Sequence, residues 1–448
     1  MKKFTFKRQL LFVMLMLLGC LSIQAADDGL ITNQVVITLD EPGTLPQKIS
    51  ASDKYRITNL KVKGDINGTD LGFLREMAGQ SINGIDETNG KLSTLDLSDT
   101  KIVGGGEPYF NYGGYETYFT EYNKIGKYAF CSCNNLKRLT LPKDITSIEQ
   151  SAFFGCSGLT SITIPSSVTA IGKWSFYDCS GLTSVDLPSS ITKMGECVFV
   201  ECKNLSSVKL PSEITAISNS AFGGCISLKN IELPAGITSI GNNAFIGCSN
   251  LQNINLPSGI TTIGSGAFWD CSNLTNVILP SALTSIGYLA FVNCSNLANV
   301  TLSSNITSIG SSAFSGCKSL KNLTISKDVT SIKDIRFNND YEDLELESVY
   351  VAWQNPIEAG SFFNRIKISN CTLYVPQGTK EAYANADVWK DFGNIIEYDA
   401  TGIDKVTNRS DVKEISRYSL NGQRVTSPTK GVNIVVYSDG SIKKVAVQ

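Results

Sequence analysis

Residues 262–284 read TIGSGAFWDCSNLTNVILPSALT, and the same 23-residue phrase starts at residues 124, 147, 170, 193, 216, 239, 285 and 308 with no insertion between copies. A fixed period of this length outranks any local reading of secondary structure, because each copy is a supersecondary unit too small to bury its own apolar face. The apolar positions of the quoted copy are Ile263, Ala267, Phe268, Cys271, Leu274, Val277, Leu279 and Leu283. Leu274-x-x-Val277-x-Leu279 ends in the alternation of a strand, whereas Ala267, Phe268 and Cys271 have the i, i+1, i+4 spacing of one face of a short helix. Each repeat therefore predicts a strand, a turn and a tight helical turn. Nine such rungs, stacked with their strands in parallel about 4.8 Å apart, bury the Phe, Leu and Ile columns against one another. Proline at 142, 165, 188, 211, 234, 257 and 280 closes the strand in seven rungs, with Ser303 and Ser326 in its place in the last two. A residue without an N–H suits the end of a rung better than its middle.

The common phrase LxxIxLPxxITxIGxxAFxxCxxL resembles the BspA-type leucine-rich repeats of Bacteroidetes surface proteins, and with its flanking rungs the resemblance covers roughly residues 50 to 398. It implies an α/β repeat fold: a leucine-rich-repeat solenoid with a parallel β-sheet on one side and short helical turns on the other. Local departures are Glu149 and Ser218 at the turn glycine, Met194 at the isoleucine, and Ser175 and Val198 at the alanine.

A solenoid needs caps, because an open end exposes both core and strand edges. Residues 26–123 read as an N-terminal cap with irregular rungs. Ile57-x-x-Leu60-x-Val62 and Leu92-x-x-Leu95-x-Leu97 fit the strand template, and Leu71, Phe73, Leu74 and Met77 mark a short amphipathic helix between them. The nine repeats occupy 124–330, and 331–398 hold degenerate repeats and a C-terminal cap. There Ile332 and Phe337 keep the register while Asp340 stands at the cysteine position. Leu346-x-x-Val349-x-Val351 and Leu373-x-Val375-Pro376 are strand matches, and GTKEAYANADVWKDF predicts a terminal helix. Residues 401–448 change to short alternating strands with turn signals at Asn421-Gly422 and Asp439-Gly440, a small all-β module. Its strings YSLNGQRV (418–425) and PTKGVNIVVYSDGSIKKVAV (428–447) are similar to the C-terminal sorting domains of Bacteroidetes secreted proteins, with Asn433 where an aromatic residue is usual.

Lys2, Lys3, Lys7 and Arg8 precede an apolar run from Leu10 to Ile23 and then Gln24, Ala25 and Ala26, the layout of a cleaved signal peptide over residues 1–25. Leu17-Leu18-Gly19-Cys20 also imitates a lipobox, so lipoprotein anchoring through Cys20 stands as the alternative. The run is too short for an uncleaved spanning helix. The chain is expected to be secreted or held at the outer membrane or cell surface, not membrane-spanning. Lys plus Arg (39) nearly balance Asp plus Glu (41), which gives no basic surplus for nucleic acid.

Nine of the 13 cysteines form a column: Cys133, Cys156, Cys179, Cys202, Cys225, Cys248, Cys271, Cys294 and Cys317. Rungs about 4.8 Å apart fall within the Cα window of a disulfide. Parallel Cβ vectors and an odd count favour a structural column of buried thiols acting as small apolar fillers. The chain has no histidine, which removes Ser-His, Cys-His and His-metal arrangements together. Asp186, Glu232 and Lys209 fall on solvent-facing positions. No catalytic, cofactor or metal site is expected.

Three surfaces are candidates for a partner, taken as a host or neighbouring-cell surface protein or a glycan. The first is the polar sheet-side ladder of Thr160, Ser161, Thr163, Thr183, Ser184, Asn230, Asn253, Asn255, Asn276, Asn299 and Asn322, which lacks the aromatic or Arg anchors of protein hot spots. The second is a set of aromatics on the turn side: Phe154, Trp174, Tyr177, Trp269 and Tyr288. The third is the Tyr-rich insert EPYFNYGGYETYFTEY (107–122), with Tyr112 and Tyr115 at its centre. The functional expectation is a non-enzymatic exported binding protein, a cell-surface adhesin or interaction scaffold recognising host matrix glycoproteins. A structural envelope spacer and a polysaccharide-binding accessory protein are the alternatives.

Overall fold

The computed structural model describes residues 29–399, apart from 304, 328, 334–336 and 338–343, together with the backbone of four strands between 414 and 447. The expectations for residues 1–25, Cys20 and Asp340, and for the turns at Asn421-Gly422 and Asp439-Gly440, lie outside the described residues.

The chain forms a parallel-strand solenoid. We number its nine regular rungs 1 to 9, rung 1 being residues 124–146 and rung 9 residues 308–330, and count positions within each rung. Positions 15–17 pair in register with the rung before and after, as in Asn276↔Asn299 and Val277↔Val300. This ladder begins with Val35–Thr38, Asn59–Ile66 and Thr94–Ile102 in the N-terminal cap and ends with Ser348–Val351, Thr372–Pro376 and Asn394–Tyr398. A second parallel ladder, which the sequence pattern did not reveal, runs through positions 1–2, for example Thr262↔Ser285 and Ile263↔Ile286. The sheet-side ladder is interrupted between rungs 2 and 3 and between rungs 4 and 5. The second ladder is interrupted only between rungs 4 and 5.

The remaining side of each rung is not helical. Positions 5 and 9 have positive φ throughout, as at Trp174 (58°) and Asp178 (52°) in rung 3 and Gly266 (61°) and Asp270 (59°) in rung 7. Left-handed residues at that spacing stop a helix from propagating. The N–H groups then split between two uses. In rung 7, Ala267, Trp269 and Cys271 donate three residues back, whereas Gly266, Phe268 and Asp270 donate to Tyr288, Ala290 and Val292 of rung 8 at 2.7–2.8 Å. The expected helical turns are therefore replaced by turns that are hydrogen-bonded from rung to rung.

The core is columnar. Rings from Phe130 to Phe337 stack 4.8–5.7 Å apart with interplanar angles of 1–16°. The nine column cysteines are buried thiols outside any disulfide. From Cys156 onward each thiol donates to the phenylalanine carbonyl of the preceding rung at 2.9–3.2 Å. The thiol is thus a filler with one polar duty, a donor for a buried acceptor.

The N-terminal helix spans Gly68–Met77 and is capped by a reciprocal Asn67–Asp70 box. At the other end the predicted terminal helix is shorter than its sequence, spanning Lys380–Asn385, with a separate 3-10 turn at Trp389–Asp391. Val388 has φ 70° and breaks the run, which turns Trp389 inward to donate to Ile357 O at 2.7 Å. Strands Glu414–Ser419, Arg424–Val425, Gly431–Tyr437 and Ile442–Val447 form a four-stranded antiparallel sheet.

Candidate binding surfaces

The turn-side aromatics do not form one site. Phe154, Tyr177 and Trp269 share position 8, where side chains lean along the outside of the stack. Phe154 and Tyr177 stack at 4.8 Å and 4°, and all three are half-buried. Trp174 sits at the left-handed position 5, also half-buried. The Lys173 ammonium lies 4.4 Å from its ring centroid and is itself paired to Glu196 at 2.9 Å. Trp269 is four rungs away, roughly 19 Å at strand spacing, with Val200, Gly223 and Ile246 between. Tyr288 is exposed but lies at position 4, off that column.

The Tyr-rich insert is an antiparallel hairpin of Gly105–Tyr112 and Glu116–Thr120. Gly113 and Gly114, at φ 56° and 81°, supply the turn, a conformation that costs glycine little. Three of the insert's seven aromatics anchor it. Tyr109 and Phe110 are buried, Tyr109 Oη donates to Lys127 O at 2.8 Å, and Phe110 stacks on Tyr128 at 5.2 Å. Beneath them Arg75 is fully buried. Its guanidinium donates to Tyr128 O (2.8 Å), Ala129 O (3.1 Å) and Ser81 O (3.2 Å) and lies 4.7 Å from the Phe110 ring centroid. Tyr118 leans on Tyr128 and hydrogen-bonds Glu116; burial and that neighbouring carboxylate push its phenol up to about 12.

The other four face solvent: Tyr112 is 58% exposed, Tyr115 90%, Phe119 52% and Tyr122 71%. The adjoining loop adds Ile82 and Ile85, both exposed, and is tied to the hairpin by Asn111 N–H donating to Ile82 O at 2.7 Å. Six of the 11 large exposed apolar side chains among the described residues lie on this hairpin, on Tyr122 just beyond it and on the loop. A contiguous exposed apolar patch is the usual mark of an interaction surface.

The polar ladder lies where the strand template placed it. Its members are exposed except Asn322, which is half-buried and donates from Nδ2 to Asn299 Oδ1 at 2.9 Å. Beyond rung 9 the same outward position becomes aromatic. Tyr350 and Tyr374 stack at 4.4 Å, with Tyr398 edge-on to Tyr350 at 5.9 Å. This cluster was available to sequence reasoning as the x before the last apolar residue of each C-terminal strand match, one and two rungs past the ninth repeat.

Burial pushes Cys133 and Cys248 up to about 12 and the other resolved members of the column well above the usual thiol range. The densest charge cluster, Lys61 between Asp96 (3.0 Å) and Asp99 (2.8 Å), is an ion-paired array along the N-terminal rungs.

Residues 123–232 and 215–344 match the family model described as BspA type leucine rich repeat region, in six copies. No curated protein matches the chain. Among solved structures, a leucine-rich repeat protein from Bacteroides ovatus is similar at 20% identity, over 63% of this chain and 89% of that one, with a TM-score of 0.41. A leucine rich cell surface protein from Faecalibacterium prausnitzii is similar at 26% identity over 65% and 86%, with a TM-score of 0.33. The T. pallidum leucine rich repeat protein is similar at 28% identity over 41% and 78%, with a TM-score of 0.31.

Proposed function

From the premise that residues 123–344 are a BspA-type leucine-rich repeat region, we propose that this chain is an exported, cell-surface binding protein that engages host matrix glycoproteins through the hairpin at its N-terminal end. The carrying observation is the exposure of Tyr112, Tyr115 and Phe119 on a hairpin whose base is fixed by buried Tyr109, Phe110 and Arg75. Rigidly mounted tyrosines supply large contact area at small entropic cost, which is why they dominate protein-binding surfaces. The signal-peptide layout of residues 1–25 and the sorting-domain resemblance of 401–448 support export to the surface.

The test is binding of the full chain to an array of matrix glycoproteins and polysaccharides, beside a Tyr112→Ser/Tyr115→Ser/Phe119→Ser variant and a Trp174→Ala/Tyr177→Ala/Trp269→Ala variant. Saturable glycoprotein binding lost only in the hairpin variant is the expected result. Loss only in the second variant moves the site to the turn side. Retention by polysaccharides alone supports the accessory role, for which the polar ladder ending on Tyr350 and Tyr374 is the favouring feature. Absence of all binding supports the structural spacer.

A further inference from the structure

The exposed rings of the hairpin stand in an unbalanced field of charge. Residues 81–90 and 102–123, the loop and the hairpin segment, hold Asp86, Glu87, Glu107, Glu116 and Glu121 and no Lys or Arg, in a chain whose 39 cations and 41 anions leave a net charge of -2. All five carboxylates are exposed. Among the described residues only Glu121 of the five is in an ion pair, with Lys124 at 2.7 Å. Lys91, Lys101 and Lys127 border the two segments without pairing to any of these carboxylates.

The loop and the hairpin form one surface. Besides the hydrogen bond from Asn111 N–H to Ile82 O, the Phe110 ring lies so close to the loop that a Cβ at Gly84 would fall 2.5 Å from it. Exposed Ile85, followed by Asp86 and Glu87, is thus held beside the strands that carry Tyr112 and Glu116. Those two residues are cross-strand partners next to the turn, and side chains so paired have Cβ atoms about 5 Å apart. A ring and a carboxylate at that separation suit a guanidinium, which can lie flat on the ring while its fork meets the carboxylate. Tyr118 Oη donates to Glu116 Oε2 and leaves Oε1 for a partner. The inner face of the hairpin already shows the first half of this contact, since the Arg75 guanidinium lies 4.7 Å from the Phe110 ring centroid. Its acceptors there are main-chain carbonyls; on the outer face the acceptors beside the rings include carboxylates.

We propose that the hairpin and its loop bind a basic, arginine-bearing segment of the partner protein, with an arginine on Tyr112 and Glu116 and flanking cations on Asp86, Glu87 and Glu107. This rests on the hairpin reading above and names what the hairpin recognises. Charge complementarity selects that occupant. An apolar surface laid over Tyr112, Tyr115 and Ile85 would strip water from the neighbouring carboxylates without pairing them, and an acidic one would oppose them; either costs binding energy. A basic segment is drawn in at long range and paired at contact. An anionic glycan is repelled by the same field.

The experiment measures binding of the full chain to nine-residue peptides in which Arg, Lys, Glu or Ser alternates with Gly, to heparin as an anionic glycan, and to the matrix glycoproteins. Glu87→Gln/Glu107→Gln/Glu116→Gln is the deciding variant: it removes three charges and no ring, and the new amide can still accept from Tyr118 Oη. Glu213→Gln/Glu232→Gln/Glu381→Gln removes as much charge from exposed positions outside both segments and controls for general attraction. Saturable binding of the Arg peptide, weaker binding of the Lys peptide and none of the Glu or Ser peptides are expected. The deciding variant should bind at least about tenfold more weakly and the control as wild type does. Affinity should fall between about 0.05 and 0.5 M salt, as exposed pairs are screened, and less steeply in the deciding variant. Equal affinity for the Arg and Ser peptides, binding of no peptide, equal losses in the two charge variants, or heparin binding that Tyr112→Ser/Tyr115→Ser/Phe119→Ser abolishes would overturn the proposal. The two readings fail separately. Glycoprotein binding that survives the deciding variant but is lost with the rings removes the basic partner and keeps the hairpin, whereas binding that survives both removes the hairpin itself.

Discussion

The hairpin and the turn-side column are both rich in aromatic residues, and they use them in opposite ways. In the column, each ring has a rung above and a rung below at strand spacing. Tyr177 therefore lies flat on Phe154, and Trp174 lies under Lys173. The hairpin projects beyond the repeat, so its rings have neighbours on one side only. Tyr109, Phe110 and Tyr118 turn toward Arg75 and Tyr128, while Tyr112, Tyr115 and Phe119 stay more than half exposed, Tyr112 meeting only the edge of this cluster at Phe110. Aromatic density alone does not distinguish such regions. The presence of a next rung does.

The sharpest break of that comparison is in binding. Tyr112→Ser/Tyr115→Ser/Phe119→Ser removes three exposed anchors and is expected to weaken glycoprotein binding by about 100-fold or more, given the ~2 kcal/mol typical of an aromatic hot spot. Its unfolding midpoint in urea stays near wild type, since exposed substitutions cost within about 0.5 kcal/mol. An unchanged affinity in surface plasmon resonance would remove the hairpin from consideration.

Next comes the base. Arg75→Met strips the donor from three carbonyls beneath the hairpin, and unsatisfied buried acceptors cost roughly 1–3 kcal/mol each before relaxation. We expect about 2–4 kcal/mol of destabilisation, read by denaturant unfolding, and faster amide exchange concentrated in 105–120. Uniform loosening along the whole stack would show that the hairpin is not a separately anchored unit.

For the column the expectation reverses. Tyr177→Ala loses a stacked, half-buried ring and is expected to cost about 1–2 kcal/mol of stability with no change in glycoprotein affinity. A loss of affinity at constant stability would place a partner on the turn side after all.

How far the sequence led depends on what each feature repeats. The 23-residue register, the Phe and Cys columns and the sheet-side strands were legible because apolar positions recur nine times. The turn side was misread because Ala267, Phe268 and Cys271 satisfy a helical spacing equally well as a series of turns. The better signal was glycine recurring at positions 5 or 9, at Gly155, Gly224, Gly247, Gly266 and Gly316, all with positive φ. A two-residue strand such as Thr262–Ile263 has no alternation to read, so the second ladder was invisible. For the candidate surfaces, the sequence located the aromatics but not their covering.

The smallest expected effect sharpens the comparison most. Lys173 lies over Trp174 and pairs with Glu196, and both are surface interactions: a cation–π contact at an exposed site contributes about 0.5–1 kcal/mol, and an exposed ion pair 0–1 kcal/mol. Lys173→Ser is therefore expected to cost under about 1 kcal/mol, with the difference shrinking in high salt as the ion pair is screened. It uncovers the indole without moving the backbone that holds it, because Trp174 N–H still donates to Glu196 O across the junction at 3.0 Å. Fluorescence of the variant, read against Trp174→Phe in the same background to isolate that indole, is expected to shift to the red. Glycoprotein affinity stays where the hairpin sets it. A gain in affinity on uncovering the ring would mean that the column is a binding surface held closed by a lysine, and the contrast between the two regions would then be one of covering rather than of kind.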